Sequence, residues 1–297
     1  MANDPSVLVT GGSGFLGRHL VAALLASGAR VRIVTRRSLA VHPAAEHFHA
    51  DLASSSGLEA AFDGIDVLVH LAASLTGPAA ELERNNVEAT RRLLQAMART
   101  PARRLVLASS LSIYDWSSVE HVLSEDCRTL EGCADAGEAG AYATTKMAQE
   151  RLARELARQH GWTLTILRPA AIWGGDAWAE FMIGKRWRAI QTVVAPRAPA
   201  RLVHLQSVVD AFVKAVQRQD GAELVLNLVD DAHVSNWQYA RLVQKHRGGV
   251  LLPVPYALGR LATKLAGKRT KVFEMLHKPA RCPNARAREK LGWKPWS

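Results

Sequence analysis

The chain alternates short apolar runs with longer stretches that carry apolar residues at helical spacing. The runs are rich in valine, leucine and isoleucine, as buried strands are. The predicted strands cover residues 7–10, 31–35, 45–50, 67–71, 105–108 and 163–167, and the predicted helices cover residues 18–25, 58–62, 86–99 and 142–160. This alternation predicts an α/β fold with a doubly wound parallel sheet and a ligand across the carboxyl ends of the strands.

The first predicted strand runs into a glycine-rich turn. Gly11, Gly14 and Gly17 lie between this strand and the first predicted helix, which is the order of elements that binds a pyrophosphate. Glycine permits a positive φ and a close approach of the ligand, and the free N–H groups of a helix N-terminus attract an anion. Glycine-rich turns also occur in many ordinary loops, so the motif needs support from other residues.

The alternation becomes irregular from about residue 173. A helix is predicted over residues 208–218, a strand over 224–228 and a basic amphipathic stretch over 258–265. We predict a Rossmann dinucleotide-binding domain over residues 1–172 and a smaller mixed α/β substrate-binding lobe over residues 173–297, packed on the first and interleaved with it. The amphipathic stretch could lie on a membrane surface, but a helix that covers the substrate lobe is the interpretation we favour.

Length, charge and cysteine content restrict the classes of function. The chain has 297 residues and a formal net charge of +11, but we find no nucleic-acid-binding motif, and we interpret the charge as a solvated surface that favours acidic small molecules. No apolar run approaches the ~20 residues of a membrane span, and no signal-peptide pattern precedes the first strand. The chain also has only three cysteines, too few for a disulfide framework. Together these features predict a cytoplasmic protein without an integral membrane segment.

Two groups of residues resemble metal sites, and we expect neither to bind a metal. Cys127 and Cys133 lack the usual ligand spacing and nearby companion ligands. His47, His49 and Asp51 would line one face of a strand, but the chemistry described next needs no metal.

A tyrosine and a lysine stand one helical turn apart at the start of the predicted helix 142–160. Tyr142 and Lys146 would lie on the same face, where an ammonium favours the phenolate and lowers the tyrosine pKa from its usual ~10. Ser109 and Ser110 end the fifth strand at the carboxyl edge of the sheet. A hydroxyl at that edge can hydrogen-bond a carbonyl oxygen and stabilise the charge that develops on it.

These residues resemble the extended short-chain dehydrogenase/reductase family, also called the NAD-dependent epimerase/dehydratase family, and the resemblance runs nearly end to end. The second half of the chain contributes Arg168-Pro169, Val203-His204 and residues 287–295. The first half contributes residues 10–17, Asp51-Leu52, His70-Leu71-Ala72-Ala73, Asn86-Val87-Glu88-Ala89-Thr90 (with Ala89 in place of a glycine), residues 109–114, Tyr142 and Lys146.

The resemblance implies a role for each matched residue. Ser110, Tyr142 and Lys146 would be the catalytic residues: Tyr142 as general acid or base, Lys146 on the nicotinamide ribose, and Ser110 on the reacting oxygen. It also implies a homodimer formed through the helix that carries Tyr142. The implied cofactor contacts are Gly11, Gly14, Phe15, Leu16, Gly17, Asp51, Leu52, Leu71, Ala72, Ala73, Asn86 and Pro169.

The end of the second strand bears on the choice of cofactor. NAD-preferring members usually carry an acidic residue there, which bonds the ribose hydroxyls. This chain has Thr35, followed by Arg36 and Arg37. A guanidinium can bind a 2′-phosphate through two donors, so we predict NADP(H) with Arg36 as the main contact, and NAD(H) as the alternative.

Departures from the family pattern narrow the reaction. Leu111-Ser112 replaces the Asp-Glu pair of the dehydratases, so we do not expect a dehydratase. Two segments differ from the pattern of the sugar-nucleotide enzymes, namely His204-Leu205-Gln206-Ser207 and Tyr114-Asp115-Trp116. The chain also lacks a clear second arginine motif that would bind the diphosphate of a sugar nucleotide. Trp173, Trp178 and Trp187 fall where the family builds its substrate pocket, and they either line an apolar site or pack in the core.

Three functions follow for a small-molecule substrate. The first is an NADP(H)-dependent oxidoreductase that transfers a hydride between nicotinamide and a carbonyl/alcohol substrate by a Ser-Tyr-Lys mechanism. The second is a nucleotide-sugar epimerase with retained NAD(P), which would use the same three residues. The third is a non-catalytic dinucleotide sensor, against which the presence of Tyr142 argues.

Overall fold

The computed structural model describes residues 4–36, 42–231 and 234–295, and within these ranges seven parallel strands form one central sheet. In chain order the strands are β1 (Ser6–Thr10), β2 (Arg30–Thr35), β3 (Glu46–His49), β4 (Val67–His70), β5 (Arg104–Ala108), β6 (Thr163–Pro169), β7 (Ala171–Trp173), β8 (Arg186–Trp187), β9 (Ile190–Val194), β10 (Leu202–His204), β11 (Leu224–Leu228) and β12 (Val250–Val254). The central sheet has the order β11-β6-β5-β4-β1-β2-β3. The order reverses between β1 and β4, which opens a crevice at their carboxyl ends.

Helices connect the strands and cover both faces of the sheet. They are α1 (Phe15–Ala26), α2 (Ala79–Leu82), α3 (Ala89–Ala98), α4 (Ala141–His160), α5 (Leu205–Gln217), α6 (Asn236–Arg247), α7 (Tyr256–Leu265), α8 (Thr270–His277) and α9 (Ala285–Leu291). A π-helical segment, Glu83–Glu88, joins α2 to α3, and short 3₁₀ helices lie at Leu58–Phe62, Leu111–Ile113, Ala136–Ala139 and Glu180–Met182. No helix in the described part of the chain is both long and apolar enough to cross a membrane.

The sheet is buried between two apolar layers. On one face, α1 and α5 pack with the C-terminal Trp293, whose indole N–H donates to the Ser207 carbonyl at 2.7 Å. On the other face, α3 and α4 pack on the sheet through side chains such as Leu93 and Leu152. Both faces of a parallel sheet must be covered in this way, and the predicted doubly wound fold is confirmed.

The chain crosses between the two parts of the molecule after residue 173. Three elements after residue 173 still belong to the first part: β11 is the edge strand of the central sheet, and α5 and α9 pack on a face of that sheet. The lobe itself consists of two small sheets, β10-β7 and β12-β9-β8, with α6 to α8 around them. The lobe and the central sheet are therefore interleaved along the chain.

Candidate active site

The glycine-rich turn is shaped by close contacts that only glycine allows. Gly11 has φ +72°, and a Cβ there would lie 2.8 Å from the backbone nitrogen of Ala72. A Cβ on Gly17 would collide with the carbonyl of Gly11. The turn is closed by the N–H of Gly14, which donates to the Gly11 carbonyl at 3.0 Å. The three glycines thus bring β1, α1 and the end of β4 into one tight cradle.

This cradle fits the pyrophosphate of a dinucleotide. Gly14 caps α1 without any side-chain hydrogen bond, so the cap leaves the first-turn N–H groups of Phe15, Leu16 and Gly17 to a ligand. A helix N-terminus with free donors and no side chain over it favours an anion. When bound, the dinucleotide would exchange a hydride with the substrate.

The loop after β4 lies beside the cradle. Leu71, Ala72 and Ala73 are half-buried, and the Leu71 N–H donates to the Thr10 carbonyl at 3.2 Å. Pro169 ends the buried strand β6. The structure therefore places these predicted contacts at carboxyl ends of strands in the same sheet.

The outer end of the crevice is formed by the ends of β2 and β3. Thr35 is buried, Arg36 beside it is exposed, and Arg37 lies outside the described residues. Asp51 follows β3 and accepts a hydrogen bond from the Ala53 N–H at 3.0 Å. Its turn buries Leu52 and leaves the Asp51 carboxylate half-exposed.

Asn86 lies beneath the site. Its side chain is fully buried, its amide oxygen accepts from the Ser74 N–H at 2.7 Å, and its amide nitrogen donates to Ser74 and to the hydroxyl of Thr145. Since it has no exposed surface to offer a dinucleotide, it ties the loop after β4 to α4. The sequence match named Asn86 but did not reveal this positioning role.

Ser110 and Tyr142 meet at the carboxyl edge of the sheet. Ser110 follows β5, Tyr142 lies in the first turn of α4, and the Ser110 side chain is near enough to the phenol to act on its pKa. The Ser110 oxygen also accepts from the Ser112 N–H at 3.1 Å, which fixes the serine side chain at the start of a 3₁₀ helix. The two hydroxyls can thus reach one substrate oxygen.

The expected fall in the tyrosine pKa is not found. Burial raises the pKa of Tyr142 to about 12, and only the contact with Ser110 opposes that rise. Lys146 does not contribute, because its ammonium donates to the Ala108 carbonyl at 2.5 Å and to the side-chain oxygen of Gln149 at 2.6 Å. The expectation that Lys146 lowers the pKa of Tyr142 is wrong for this structure, and the phenol is neutral at pH 7.

A chain of buried polar side chains leads away from Lys146. Gln149 accepts from Lys146 and donates to the hydroxyl of Thr90 at 2.7 Å. That hydroxyl lies 2.8 Å from one ring nitrogen of His70, whose other nitrogen lies 2.6 Å from the Thr10 hydroxyl. Burial lowers the pKa of Lys146 to about 8 and that of His70 to about 3. The network joins α4 to β1 and β4.

A buried ion pair fixes α4 from its other side. The Arg168 guanidinium donates to both carboxylate oxygens of Glu150, at 2.8 and 2.7 Å, and also to the Tyr114 hydroxyl at 2.7 Å. The guanidinium holds the pKa of Glu150 below its usual range although burial acts in the opposite direction. Glu150 lies one turn beyond Lys146, and this spacing is the sequence signal that could have identified it.

Two of the three predicted pocket tryptophans, Trp173 and Trp178, pack against the same apolar cluster in the substrate lobe. Trp173 contacts His204 edge-on at 5.0 Å, and Trp178 stacks on His246. Trp187 does not join them, since it is 68% exposed on β8. The expected cluster of three is therefore reduced to two, because Trp187 lies with Ile190 on the exposed side of its small sheet, whereas Val193 of the same sheet belongs to the cluster.

An acidic residue that sequence analysis missed lies next to Trp173. The Asp230 carboxylate accepts from the Trp173 indole N–H at 3.2 Å and from the His204 N–H at 2.6 Å. Burial raises the pKa of Asp230 to about 6. Asp230 follows β11 at the carboxyl edge of the sheet, which is the only sequence signal it offered.

The buried arginine of the lobe is held by main-chain carbonyls. Arg201 donates to the carbonyls of Lys278 and Met275, and its guanidinium lies over the Trp116 ring at 4.3 Å. Because the side chain is only 6% exposed, its donors are committed inside the protein.

Comparison with known proteins shows the family to which the chain belongs. The model of the NAD dependent epimerase/dehydratase family matches residues 7–229. A ketoreductase from Stigmatella aurantiaca, named for 4-hydroxy-2-methyl-3-oxo-4-farnesyl-3,4-dihydroquinoline-1-oxide, is 29% identical over 86% of this chain and 78% of its own length. A 3β-hydroxysteroid dehydrogenase/Δ5→4-isomerase from Mycobacterium tuberculosis (strain CDC 1551) is 31% identical over 70% of this chain and 59% of its own length.

Solved structures resemble the fold over nearly its whole length. MoeE5 in complex with UDP-glucuronic acid and NAD is 26% identical, covers 98% of this chain and 94% of its own, and has a TM-score of 0.75. A UDP-glucuronic acid 4-epimerase from Bacillus cereus, 19% identical with a TM-score of 0.76, covers 98% of this chain and 92% of its own and shows the fold alone. The chain is an NAD(P)-dependent enzyme that belongs to the NAD-dependent epimerase/dehydratase family.

Proposed function

We propose that the protein is an NADP(H)-dependent oxidoreductase that transfers a hydride between nicotinamide and a carbonyl/alcohol substrate. One observation carries the proposal: the side chains of Ser110 and Tyr142 are neighbours at the carboxyl edge of the sheet that also ends in the glycine cradle. Two hydroxyls there can hold one substrate oxygen while its carbon faces the nicotinamide.

The neutral phenol favours reduction of a carbonyl. With a pKa of about 12, Tyr142 carries its proton at pH 7 and can donate it to the substrate oxygen as the carbon accepts a hydride. Ser110 donates a hydrogen bond to the same oxygen and stabilises the negative charge that develops on it. The phenolate formed on Tyr142 then takes a proton from water, which restores the acid.

Lys146 binds the cofactor in this proposal. Its ammonium lies one turn from Tyr142 and binds the nicotinamide ribose. Burial brings the pKa of Lys146 to about 8, so the ammonium persists at neutral pH. Its contacts with Ala108 and Gln149 hold the side chain at the floor of the crevice.

We propose NADP(H) as the preferred cofactor. Arg36 is exposed at the end of β2, where a guanidinium can bind a 2′-phosphate, and Thr35 brings no negative charge against it. Asp51 and Leu52 contact the adenine, and Gly11, Gly14, Phe15, Leu16 and Gly17 the pyrophosphate. Leu71, Ala72, Ala73 and Pro169 lie along the nicotinamide half.

The substrate we propose is an apolar carbonyl compound. In the lobe, the apolar rings of Trp173 and Trp178 can contact such a substrate. The buried guanidinium of Arg201 donates to main-chain carbonyls, so these donors are not left for a charged substrate. Two relatives support the proposal through their names, a ketoreductase for a farnesylated quinoline oxide and a 3β-hydroxysteroid dehydrogenase. Both names describe multi-ring apolar molecules.

A nucleotide-sugar epimerase is the second candidate. It is favoured by the likeness to MoeE5, solved with UDP-glucuronic acid and NAD. The same three catalytic residues would serve it, but the enzyme would return the hydride to its substrate. A dinucleotide sensor is a third possibility, which the proximity of the Ser110 and Tyr142 side chains disfavours.

Turnover of the cofactor separates these candidates. We propose to incubate the protein with NADPH or NADH and, in turn, steroid ketones, ring ketones and UDP-sugars, and to follow the absorbance of the reduced nicotinamide. A reductase consumes one NADPH for each alcohol formed. Conversion of a UDP-sugar without net consumption would instead establish the epimerase, and binding without any conversion would favour the sensor.

A homodimer through α4 is part of the same proposal. The outward side of this helix carries the exposed residues Arg151, Glu155 and Arg158. The molar mass in solution tests it: twice the chain mass is expected, and a charge reversal at Arg151 and Arg158 should weaken the association. A monomer at all concentrations would contradict it.

A further inference from the structure

One helix of the substrate lobe turns its apolar side away from the protein. No residue of α7 is buried, and Leu258, Leu261 and Leu265 are 58%, 51% and 78% exposed. The helix contacts the lobe by its other side, where a Cβ on Gly259 would lie 2.9 Å from the ring of Phe273. An amphipathic helix normally buries its leucines, so this face needs a partner.

The neighbouring small sheet presents a second exposed apolar surface. The strand register pairs Trp187 with Ile190 and Ile190 with Val250, so these three side chains leave the sheet on the same side, with Leu252 two residues further. All four are exposed, from 38% for Ile190 to 68% for Trp187. The opposite side carries buried Gln191 and is covered by α6.

The two surfaces adjoin. Val254 follows Leu252 on the same side of β12, and its side chain would lie 3.6 Å from a Cβ on Gly259 of α7. The helix therefore sits at the end of the exposed side of the sheet. We call the combined surface the outer face, formed by Trp187, Ile190, Val250, Leu252, Leu258, Leu261 and Leu265.

The two chain segments that form the outer face contain basic residues and no acidic ones, although Arg247, Arg260 and Lys271 pair with acids outside these segments. Residues 181–209 and 232–273 contain 13 lysines and arginines and no aspartate or glutamate, counted as 5 and 8 in the two segments. Lys264 at the end of α7 and Lys268 and Arg269 just beyond it are exposed. None of these three forms an ion pair within the described part of the chain.

We propose that the outer face binds the surface of an anionic phospholipid membrane. The leucines and Trp187 would enter the boundary between headgroups and acyl chains, and the lysines and arginines would pair with lipid phosphates. A single apolar helix gives weak anchoring, and basic residues supply the second signal that stable binding requires.

Charge decides between a membrane and a second copy of the chain. Two outer faces in contact would oppose the same acid-free segments, and their like charges would repel. A membrane rich in anionic lipid has the complementary charge. The proposal is independent of the proposed reaction, because binding is measured without substrate or cofactor.

Co-sedimentation with vesicles tests the proposal on the full chain. We expect binding to vesicles of phosphatidylcholine with phosphatidylglycerol, little binding to phosphatidylcholine alone, and loss of binding in high salt. Replacing all three leucines (Leu258→Gln, Leu261→Gln, Leu265→Gln) should weaken binding by on the order of a hundredfold or more. Leu242→Gln is the matched control, because this leucine is 43% exposed on α6, which covers the other side of the small sheet.

A charge variant and two further readouts complete the test. Lys264→Glu with Lys268→Glu and Arg269→Glu should abolish binding to anionic vesicles while circular dichroism and the melting temperature stay unchanged. Failure of the unsubstituted protein to sediment with anionic vesicles would overturn the proposal. So would binding that survives the leucine substitutions, or leucine variants that turn a dimer into a monomer, since the outer face would then join two copies.

Discussion

The ammonium nitrogen of Lys146 lies 2.6 Å from the side-chain oxygen of Gln149, and both side chains are buried. Gln149 passes this contact on to Thr90 and, through it, to His70. A buried cation is costly unless hydrogen bonds satisfy it, so Gln149 is positioned to keep Lys146 charged in one orientation. Gln149 is therefore a positioning residue for the proposed catalytic lysine.

This relationship predicts how activity depends on pH. With a pKa of about 8, Lys146 loses its ammonium as the pH rises through that value, and activity should fall on that alkaline limb. Gln149→Glu places a negative charge beside the ammonium and should move the limb up by about one pH unit. Gln149→Leu removes the acceptor and should move it down. The profile of kcat/KM against pH measures both shifts of the alkaline limb, and Gln217→Glu at the exposed end of α5 is the control. If neither substitution of Gln149 moves the limb, Gln149 is not a positioning residue for Lys146.

The ion pair between Glu150 and Arg168 should be essential for stability. Glu150→Gln leaves a buried guanidinium without its carboxylate, which costs about 3–5 kcal/mol in the free energy of unfolding. Glu223 also pairs with an arginine, Arg154, but is 41% exposed, so Glu223→Gln should cost under ~1 kcal/mol. Urea unfolding of the two variants tests the difference. Equal effects would show that burial does not govern this pair.

Two buried histidines predict a loss of stability in acid. Burial lowers the pKa of His70 to about 3 and that of His277 to about 4, while the unfolded chain protonates histidine near 6.5. As the pH falls below about 6.5, only the unfolded state takes up these protons, so each histidine removes about 1.4 kcal/mol of stability per pH unit. Urea midpoints between about pH 7 and pH 5 measure the slope. His70→Gln should reduce the slope, and an unchanged slope would contradict the prediction.

Cofactor preference should depend on Arg36. Arg36→Glu places a carboxylate where we propose the 2′-phosphate binds, and should weaken NADPH binding by about ten- to a hundredfold while NADH binding is kept. Arg30→Glu, at the other end of the same strand, is the matched control. Binding constants from nicotinamide fluorescence give both values. A parallel loss of NADPH and NADH affinity in Arg36→Glu would argue against a phosphate contact.

The central sheet could be predicted because its strands are short apolar runs flanked by turn residues. The strand over residues 224–228 is found with the predicted bounds, and α4 begins one residue before its predicted start. The helix predicted from residue 86 instead begins at residue 79 and passes through a π-helical segment at Glu83–Glu88. Apolar periodicity does not register a local change of helical pitch, so this segment escaped prediction.

The substrate lobe and the electrostatics of the site could not be predicted in the same way. Short strands such as β8 and β10 have two or three residues, too few to show a period. The spacing of Tyr142 and Lys146 was informative about position, but the pKa of the phenol depends on burial and on where the ammonium points. Those depend on Ala108 and Gln149, which become neighbours of Lys146 only in the folded chain.

The account rests on Tyr142 as the proton donor, and replacement of its hydroxyl tests this most directly. Tyr142→Phe removes only the oxygen, so NADPH should bind as before while kcat/KM for NADPH-dependent reduction of a ring ketone falls by about a thousandfold. Tyr256→Phe in α7 is the matched control and should keep full activity. If Tyr142→Phe reduces the ketone at the rate of the unsubstituted protein, with NADPH bound equally well, the proposed chemistry is wrong.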